Sequence, residues 1–171
     1  LKKEVATRLM EHLVNHDWHG YSQVSRWGDG EGKCIVNIDN MLFELEQGDR
    51  DCSSAIISAF ESAGISCGGA TYTGNMRSCM TSTGNFVWRP MSSGYIAQRG
   101  DVYLNEAKHT ALCTSVAPDM LAEFCISENG TTDGTEGDQT GHESYIHDYY
   151  SYPWDGILQC VNTESYNTVG E

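Results

Sequence analysis

The tetrapeptide Asp51-Cys52-Ser53-Ser54 places a thiol between a polar turn and an apolar helical stretch. Residues 48–51 form the turn, and residues 52–63 carry a wide apolar face that ends before Gly64. The pattern predicts Cys52 at a helix N-terminus, where the helix dipole and the free backbone N–H groups stabilise a thiolate. Such a cysteine can act as a nucleophile. The local sequence also allows an ordinary buried cysteine behind an Asp51 N-cap.

A thiol nucleophile needs a base, and His109 is the best placed of the six histidines. It opens a predicted strand of small and apolar residues, at the rim of the core. Glu123 interrupts a second apolar stretch, 120–126. If the two strands form a hairpin about residues 116–119, Glu123 lies beside His109 and can orient its imidazole. The alternative for Glu123 is an outward-facing strand residue.

The other histidines raise the question of a metal site. His12 and His16 lie four residues apart on a predicted helix near His19, but no cysteine or carboxylate stands at the usual partner spacing, so a solvated helix end is expected. His142 and His147 are five residues apart, which does not fit a zinc-binding helix. The acidic stretches 28–32 and 133–138 lack the spacing of an EF-hand. The sequence therefore predicts a mechanism without metal or cofactor.

The elements that must position these residues follow from hydrophobic periodicity. Helices are predicted over 3–16, 52–63 and 73–81, and a hairpin over Cys34–Leu45 turns at Asp39-Asn40. Short strands are predicted over 101–104, 109–116, 120–126, 143–147 and 156–161. Helices followed by strands indicate an α+β domain with an antiparallel sheet. We expect one domain over 1–161, and a linker or tail over 162–171 toward a wall-binding module.

Composition excludes several classes of protein. Ten basic and 24 acidic residues give a net charge of −14, which argues against binding to nucleic acid or anionic lipid. No apolar stretch approaches the roughly 20 residues that span a bilayer. The first 16 residues lack the apolar core of a signal peptide. Seven cysteines without a CxxC pair do not fit a zinc ribbon.

The ordered motifs resemble the NlpC-like cell-wall cysteine peptidases, and most closely their branch in bacteriophage endolysins, the peptidoglycan amidohydrolases. The resemblance covers residues 5–161. It rests on these sequences: Tyr21-Ser22, Arg26, Asp51-Cys52-Ser53-Ser54, 98–102, His109-Thr110-Ala111, 137–143, Tyr149-Tyr150 and 153–155.

The resemblance implies a papain-like fold in which the nucleophile heads a central helix packed on an antiparallel sheet. It implies Cys52 as nucleophile, His109 as base and Glu123 at the third polar position, where many relatives have a second histidine. Tyr21 matches a tyrosine near the nucleophile that supports the oxyanion. Asp51 and Ser53 flank the nucleophile on the oxyanion and substrate side, Asp51 mainly as a cap.

The implied activity is cleavage of a peptidoglycan amide bond at the bacterial cell wall, as an N-acetylmuramoyl-L-alanine amidase or a D-glutamyl endopeptidase. The absence of a signal peptide in the sequence is consistent with a phage lysin released from the host cytoplasm. Two alternatives stay open from the sequence. One is a catalytically inactive wall-binding module of the same fold, and the other is a disulfide-stapled secreted domain.

Overall fold

The computed structural model describes residues 1–16, 18–28, 30, 32–127, 129–137 and 140–166. In chain order the elements are α1 (Lys2–Asn15), β1 (Lys33–Ile38), β2 (Met41–Glu46), α2 (Cys52–Ser62), α3 (Thr73–Ser82), β3 (Phe86–Pro90), a 3₁₀ turn (Met91–Ser93), β4 (Val102–Asn105), β5 (His109–Val116), β6 (Asp119–Phe124), β7 (Ser144–Asp148) and β8 (Gly156–Cys160). The predicted α+β class is confirmed, and all six strands of the main sheet follow the three helices.

Six strands form one antiparallel sheet in the order β3-β8-β4-β5-β6-β7. Because side chains alternate along a strand, each strand presents two faces. Leu112, Ala122 and Phe124 belong to the core that the sheet shares with α1 and α2. Ala111 and Leu121, on the other face, pack in a second cluster with Tyr103 and Trp154.

The helices bury one face each against the sheet. In α1, Val5, Leu9, Met10 and Leu13 are at most 4% exposed and form the stripe that the sequence predicted. The face of α2 is wider, as its central position requires, and includes Ile56 and Phe60. The segment that follows β7 crosses the opposite face of the sheet, where Tyr149, Tyr150, Tyr152 and Trp154 join the second cluster.

The β1–β2 hairpin forms a separate two-stranded sheet that turns at Asp39 and Asn40, both with positive φ. Two such residues are typical of a tight hairpin turn. The inward-facing side chains of the hairpin, including Val36, Ile38, Phe43 and Leu45, join the main core. The predicted hairpin is therefore confirmed, and it is part of the same domain.

Three features differ from the elements predicted from sequence. β3 was not predicted, because it is an edge strand that pairs only with β8 among the described strands and ends at a proline. β6 ends at Phe124 rather than residue 126, although the Cys125 N–H bond to the Glu143 carbonyl continues the β6–β7 register by one residue.

The third difference concerns residues 162–166, which pack on the domain rather than extending from it. The Asn162 side chain donates to Asn85, the Lys2 N–H donates to the Glu164 carbonyl, and the Tyr166 hydroxyl donates to the Ala63 carbonyl at the C-terminal end of α2. The predicted linker over 167–171 lies outside the described residues. So do Asp29, Glu31 and Asp138 of the acidic stretches.

The longest helix in the described part of the chain has 14 residues, and no helix there has both the length and the apolar character to cross a bilayer.

Candidate active site

The N-terminus of α2 is held in place by a capping box. Asp51 accepts the Ser54 N–H at 2.9 Å, and the Ser54 hydroxyl accepts the Asp51 N–H at 2.9 Å. Arg26 Nε donates to the second carboxylate oxygen of Asp51 at 2.6 Å, and its guanidinium also reaches Ser53. These bonds fix the direction of the first turn, so Cys52 begins the helix as predicted.

His109, the first residue of β5, joins the Cys52 thiol to the Glu123 carboxylate. Its Nε2 lies 3.4 Å from Glu123 Oε2, and the Cys52 thiol interacts with the same ring. Burial alone lowers the pKa of His109, but the hydrogen bonds and charges of Cys52 and Glu123 outweigh it and raise the pKa to about 9. The imidazole is therefore cationic at neutral pH.

Glu123 is 3% exposed and is the centre of a polar network. The Tyr150 hydroxyl donates to the carboxylate at 3.0–3.1 Å, and Cys125 Sγ donates at 2.8 Å. His147 Nε2 lies 3.3 Å from Glu123 Oε1. Burial raises the pKa of Glu123, yet His109, Cys125 and His147 together bring it below its usual value. The carboxylate thus stays charged beside the His109 ring.

An open cavity of about 420 Å³ lies over the thiol. Its wall includes Cys52, His109 and Glu123 together with Tyr21, Gln23, Lys108, Cys125, Ile126, Gly130, Thr131, Thr132, Tyr150 and Tyr152. Tyr21 is 6% exposed. Burial is the largest cause that raises its pKa, to about 12, so its side chain is a neutral phenol at neutral pH. The Tyr21 oxygen accepts a hydrogen bond from Gln23 at 2.7 Å.

Charge in the described wall of the cavity differs from that of the whole chain. The net charge is −14, yet the wall holds one carboxylate, Glu123, and two basic side chains, Lys108 and His109. The cavity is therefore not an acidic surface, and an anionic substrate meets a cation at its rim.

Comparison with known proteins identifies the family of the chain. The sequence matches the model of the endolysin-like domain over residues 1–117 and 121–171. The chain belongs to the endolysin-like domain family. A crystal structure of the P60 domain of an antigen from M. avium subspecies paratuberculosis is similar, with a TM-score of 0.50, 14% identity and 94% of each chain covered. No curated protein matches the chain. The endolysin-like domain thus has the papain-like NlpC/P60 fold, as the sequence motifs predicted.

Four of the six predicted site residues meet in the cavity of the endolysin-like domain: Tyr21, Cys52, His109 and Glu123. Asp51 and Ser53 do not line it. The Asp51 oxygens are taken by Ser54, Ser53 and Arg26, and the Ser53 hydroxyl lies between Asp51 and Arg26. Both side chains are therefore hydrogen-bonded at the helix N-terminus, and their role on the oxyanion and substrate side stays a prediction.

Sequence reasoning missed the residues that surround Glu123: His147, Cys125 and Tyr150. A buried carboxylate needs several partners. In the register of β6 with β7, Tyr145 lies opposite Glu123, and His147 lies opposite Leu121 on the same face of the sheet. The alternation of β7 could have placed His147 on the Glu123 face. The Tyr150 contact depends on the course of the chain after β7, which hydrophobic periodicity does not predict.

Of the remaining histidines, His19 differs from expectation. His142 is exposed and lies against Tyr145, while His147 faces Glu123, so in the described structure they do not form a joint site. His19, expected at a solvated helix end, is fully buried. The chain turns back after α1, and the hairpin brings Cys34 against His19 with its Sγ 3.9 Å from His19 Nε2.

Proposed function

We propose that the endolysin-like domain hydrolyses an amide bond in the stem peptide of peptidoglycan, with Cys52 as nucleophile, His109 as general base and acid, and Glu123 as the residue that orients His109. The observation that carries this proposal is that Cys52, His109 and Glu123 line one open cavity, with His109 Nε2 3.4 Å from Glu123 Oε2. Family membership supports peptidoglycan as the substrate.

The charge state of the pair supports a thiolate mechanism. His109 holds a proton at neutral pH, and an imidazolium beside a thiol at a helix N-terminus favours the thiolate. The thiolate attacks the carbonyl carbon of the scissile amide. The electron pair of the carbonyl moves to its oxygen, and His109 Nδ1 then donates its proton to the leaving amine.

The acyl group is left on Cys52 as a thioester. His109, now neutral, accepts a proton from a water molecule, which attacks the thioester carbon and releases the carboxylate. Glu123 keeps the imidazole in its orientation through Nε2 and stabilises its cationic form, as the acidic member of a triad does.

Stabilisation of the oxyanion is assigned to the first turn of α2 and to Tyr21. The N–H groups of Cys52 and Ser53 have no acceptors within the helix, because they precede its first hydrogen-bonded turn. The Tyr21 hydroxyl accepts from Gln23 and keeps its own hydrogen available for donation. Donors fixed in this way before the reaction lower the barrier most effectively.

Lys108 supports a substrate with an anionic group near the scissile bond. The stem peptide of peptidoglycan carries free carboxyl groups, and the Lys108 ammonium at the rim of the cavity is complementary to one of them. Amidase and endopeptidase substrates share this feature, so the proposal covers both as one class.

The test is a digest of purified peptidoglycan, with the soluble fragments weighed by mass spectrometry. A new amino group with its matching carboxyl on a stem fragment supports the proposal, and the fragment mass identifies the bond. Products with cleaved sugar bonds, or intact walls after a long incubation, would contradict it. Tight wall binding without cleavage would favour the inactive binding module.

A further inference from the structure

Two histidines and a cysteine converge at a point away from the catalytic cavity. His12 lies in the last turn of α1, His19 follows the chain reversal after that helix, and Cys34 lies on β1 of the hairpin. One ligating atom from each residue lies within 4.8 Å of those of the other two. None of the three lines the catalytic cavity.

The His19 ring is already oriented as a metal ligand. Its Nδ1 lies 2.9 Å from the Gly48 carbonyl oxygen, so this nitrogen carries the hydrogen and donates it. Nε2 is left with its lone pair, and it points toward Cys34 Sγ at 3.9 Å. A backbone carbonyl that fixes the tautomer in this way is the usual second partner of a metal-bound histidine.

His12 gives an independent indication. Its Nε2 is inaccessible to solvent and has no hydrogen-bond partner in the described structure. A buried nitrogen without a partner costs free energy that a folded protein normally avoids. His12 also offers a ring nitrogen to the cluster with His19 and Cys34, and a cation bound through Nε2 would satisfy this orphaned atom.

We propose that His12, His19 and Cys34 bind a divalent zinc ion. Two imidazole nitrogens and one thiolate are a donor set that zinc prefers over the hard cations calcium and magnesium. His16 is near enough to supply the fourth ligand, since its ring centre lies 5.1 Å from that of His12 and 5.9 Å from that of His19.

Binding requires a small contraction and the loss of one proton. Zinc holds nitrogen and sulfur at about 2.0–2.3 Å in a tetrahedron, so its ligand atoms lie roughly 3.3–3.8 Å apart. The Cys34–His19 pair is almost at that distance, and His12 moves inward by about 1 Å. The Cys34 thiol releases its proton to solvent as the zinc–sulfur bond forms, with no change in oxidation state.

The ion would have a structural role. It would tie the C-terminal end of α1 to the β1–β2 hairpin, and the His19–Gly48 bond continues this connection toward the turn before α2. Zinc at a hundred times its Kd should raise the Tm of the full chain by about 5–10 °C. Because no step at Cys52 uses the ion, EDTA should lower the Tm without lowering the turnover at 25 °C.

The experiment uses the full chain with Cys52→Ser, which removes the catalytic thiol as a competing ligand. The metal-free protein is titrated with Co²⁺, and the Co²⁺ is then displaced with Zn²⁺. We expect one equivalent of Co²⁺ with a thiolate charge-transfer band and the visible bands of tetrahedral cobalt. Cys34→Ser should abolish the charge-transfer band, and His12→Gln should weaken zinc binding by about 100-fold or more.

Matched controls separate this site from the other side chains. Cys79→Ser changes a half-buried cysteine on α3, and His142→Gln changes an exposed histidine. Both should keep the one-equivalent cobalt spectrum. His12→Gln preserves a polar side chain in the last turn of a helix, so it reports on binding even if Cys34→Ser fails to fold. A charge-transfer band that persists in Cys34→Ser, or zinc affinity unchanged in His12→Gln, would overturn the proposal.

Discussion

The proposed chemistry depends on the charge of the His109 imidazole, which its two partners, Cys52 and Glu123, determine. Burial disfavours the imidazolium, but Cys52 and Glu123 reverse this effect and raise the pKa of His109 to about 9. The imidazolium should thus persist through neutral pH. Activity should be lost as the pH rises through about 9, where His109 releases its proton.

Glu123→Gln tests this electrostatic role. The amide keeps the shape of the carboxylate but removes its negative charge, so the pKa of His109 should fall and the basic limb of the pH–rate profile should move about one pH unit lower. Activity should decrease less than in His109→Ala, which removes the base itself and should cost about 10²–10⁴-fold. A profile of kcat/KM against pH for wild type and both variants measures this. An unchanged basic limb in Glu123→Gln would show that Glu123 is only a structural strand residue.

At the scale of single elements, two substitutions of Asp51 at the N-terminus of α2 distinguish a capping role of this residue from a role in substrate binding. Asp51→Asn keeps an oxygen for the Ser54 N–H, whereas Asp51→Ala removes the cap and the Arg26 partner. Asp51→Ala should lower the free energy of unfolding by about 1–2 kcal/mol, and Asp51→Asn by clearly less. Denaturant unfolding measures the difference.

Kinetics on the same two variants complete this test. Because Asp51 does not line the cavity, the KM of Asp51→Asn should stay near that of the wild type. Ser53→Ala is the matched control, since Ser53 is buried beside Asp51 and bonded to the same arginine. A large rise in KM for stably folded Asp51→Asn would support the predicted substrate-side role.

How far the sequence predicts an element depends on how local its signals are. α2 was predicted well because its N-cap, its apolar face and the glycine at its end all lie within 14 residues. The hairpin was predicted from Asp39-Asn40, and β5 was predicted with the same bounds as the structure. β3 was missed because its signals are weak, and it forms only where β8 supplies a partner.

The residues of the candidate site are likewise predictable from the sequence only where their signals are local. Cys52 and His109 carry local signals, a helix N-terminus and the start of an apolar strand. The contacts of Glu123 with Tyr150 and His147, and those of His19 with Cys34, join segments that are distant in sequence or follow unpatterned chain reversals. Spacing along the chain cannot predict such contacts, since they depend on how whole elements pack.

At the scale of the whole molecule, the segment 162–166 should contribute to stability. Tyr166 packs edge to face on Phe43, with ring centres 5.4 Å apart, and donates to the Ala63 carbonyl. Ending the chain after Val161 should lower the Tm by about 5 °C or more. Ending it after Tyr166 removes only the predicted linker and should leave the Tm unchanged. Thermal unfolding of the two truncated chains checks both, and equal Tm values would contradict a stabilising role of 162–166.

The net charge of −14 determines the salt dependence of wall binding. Cell walls rich in anionic polymers repel the domain at long range, and salt screens this repulsion over roughly 8–10 Å. We therefore expect weak binding to intact walls that improves with salt, measured by a pull-down over a salt series. Tight binding at low salt that weakens with added salt would point to a basic surface that overrides the net charge.

Replacement of the Cys52 thiol tests the central claim most directly. Cys52→Ser keeps the size and polarity of the side chain but removes the thiolate, and Cys79→Ser is the matched control outside the cavity. Both variants and the wild type are given the same purified peptidoglycan, and amide cleavage is followed by release of new amino groups. We expect Cys79→Ser to match the wild type and Cys52→Ser to lose several orders of magnitude in rate, with an unchanged circular dichroism spectrum. Amide cleavage by Cys52→Ser at the wild-type rate would contradict the assignment of Cys52 as nucleophile.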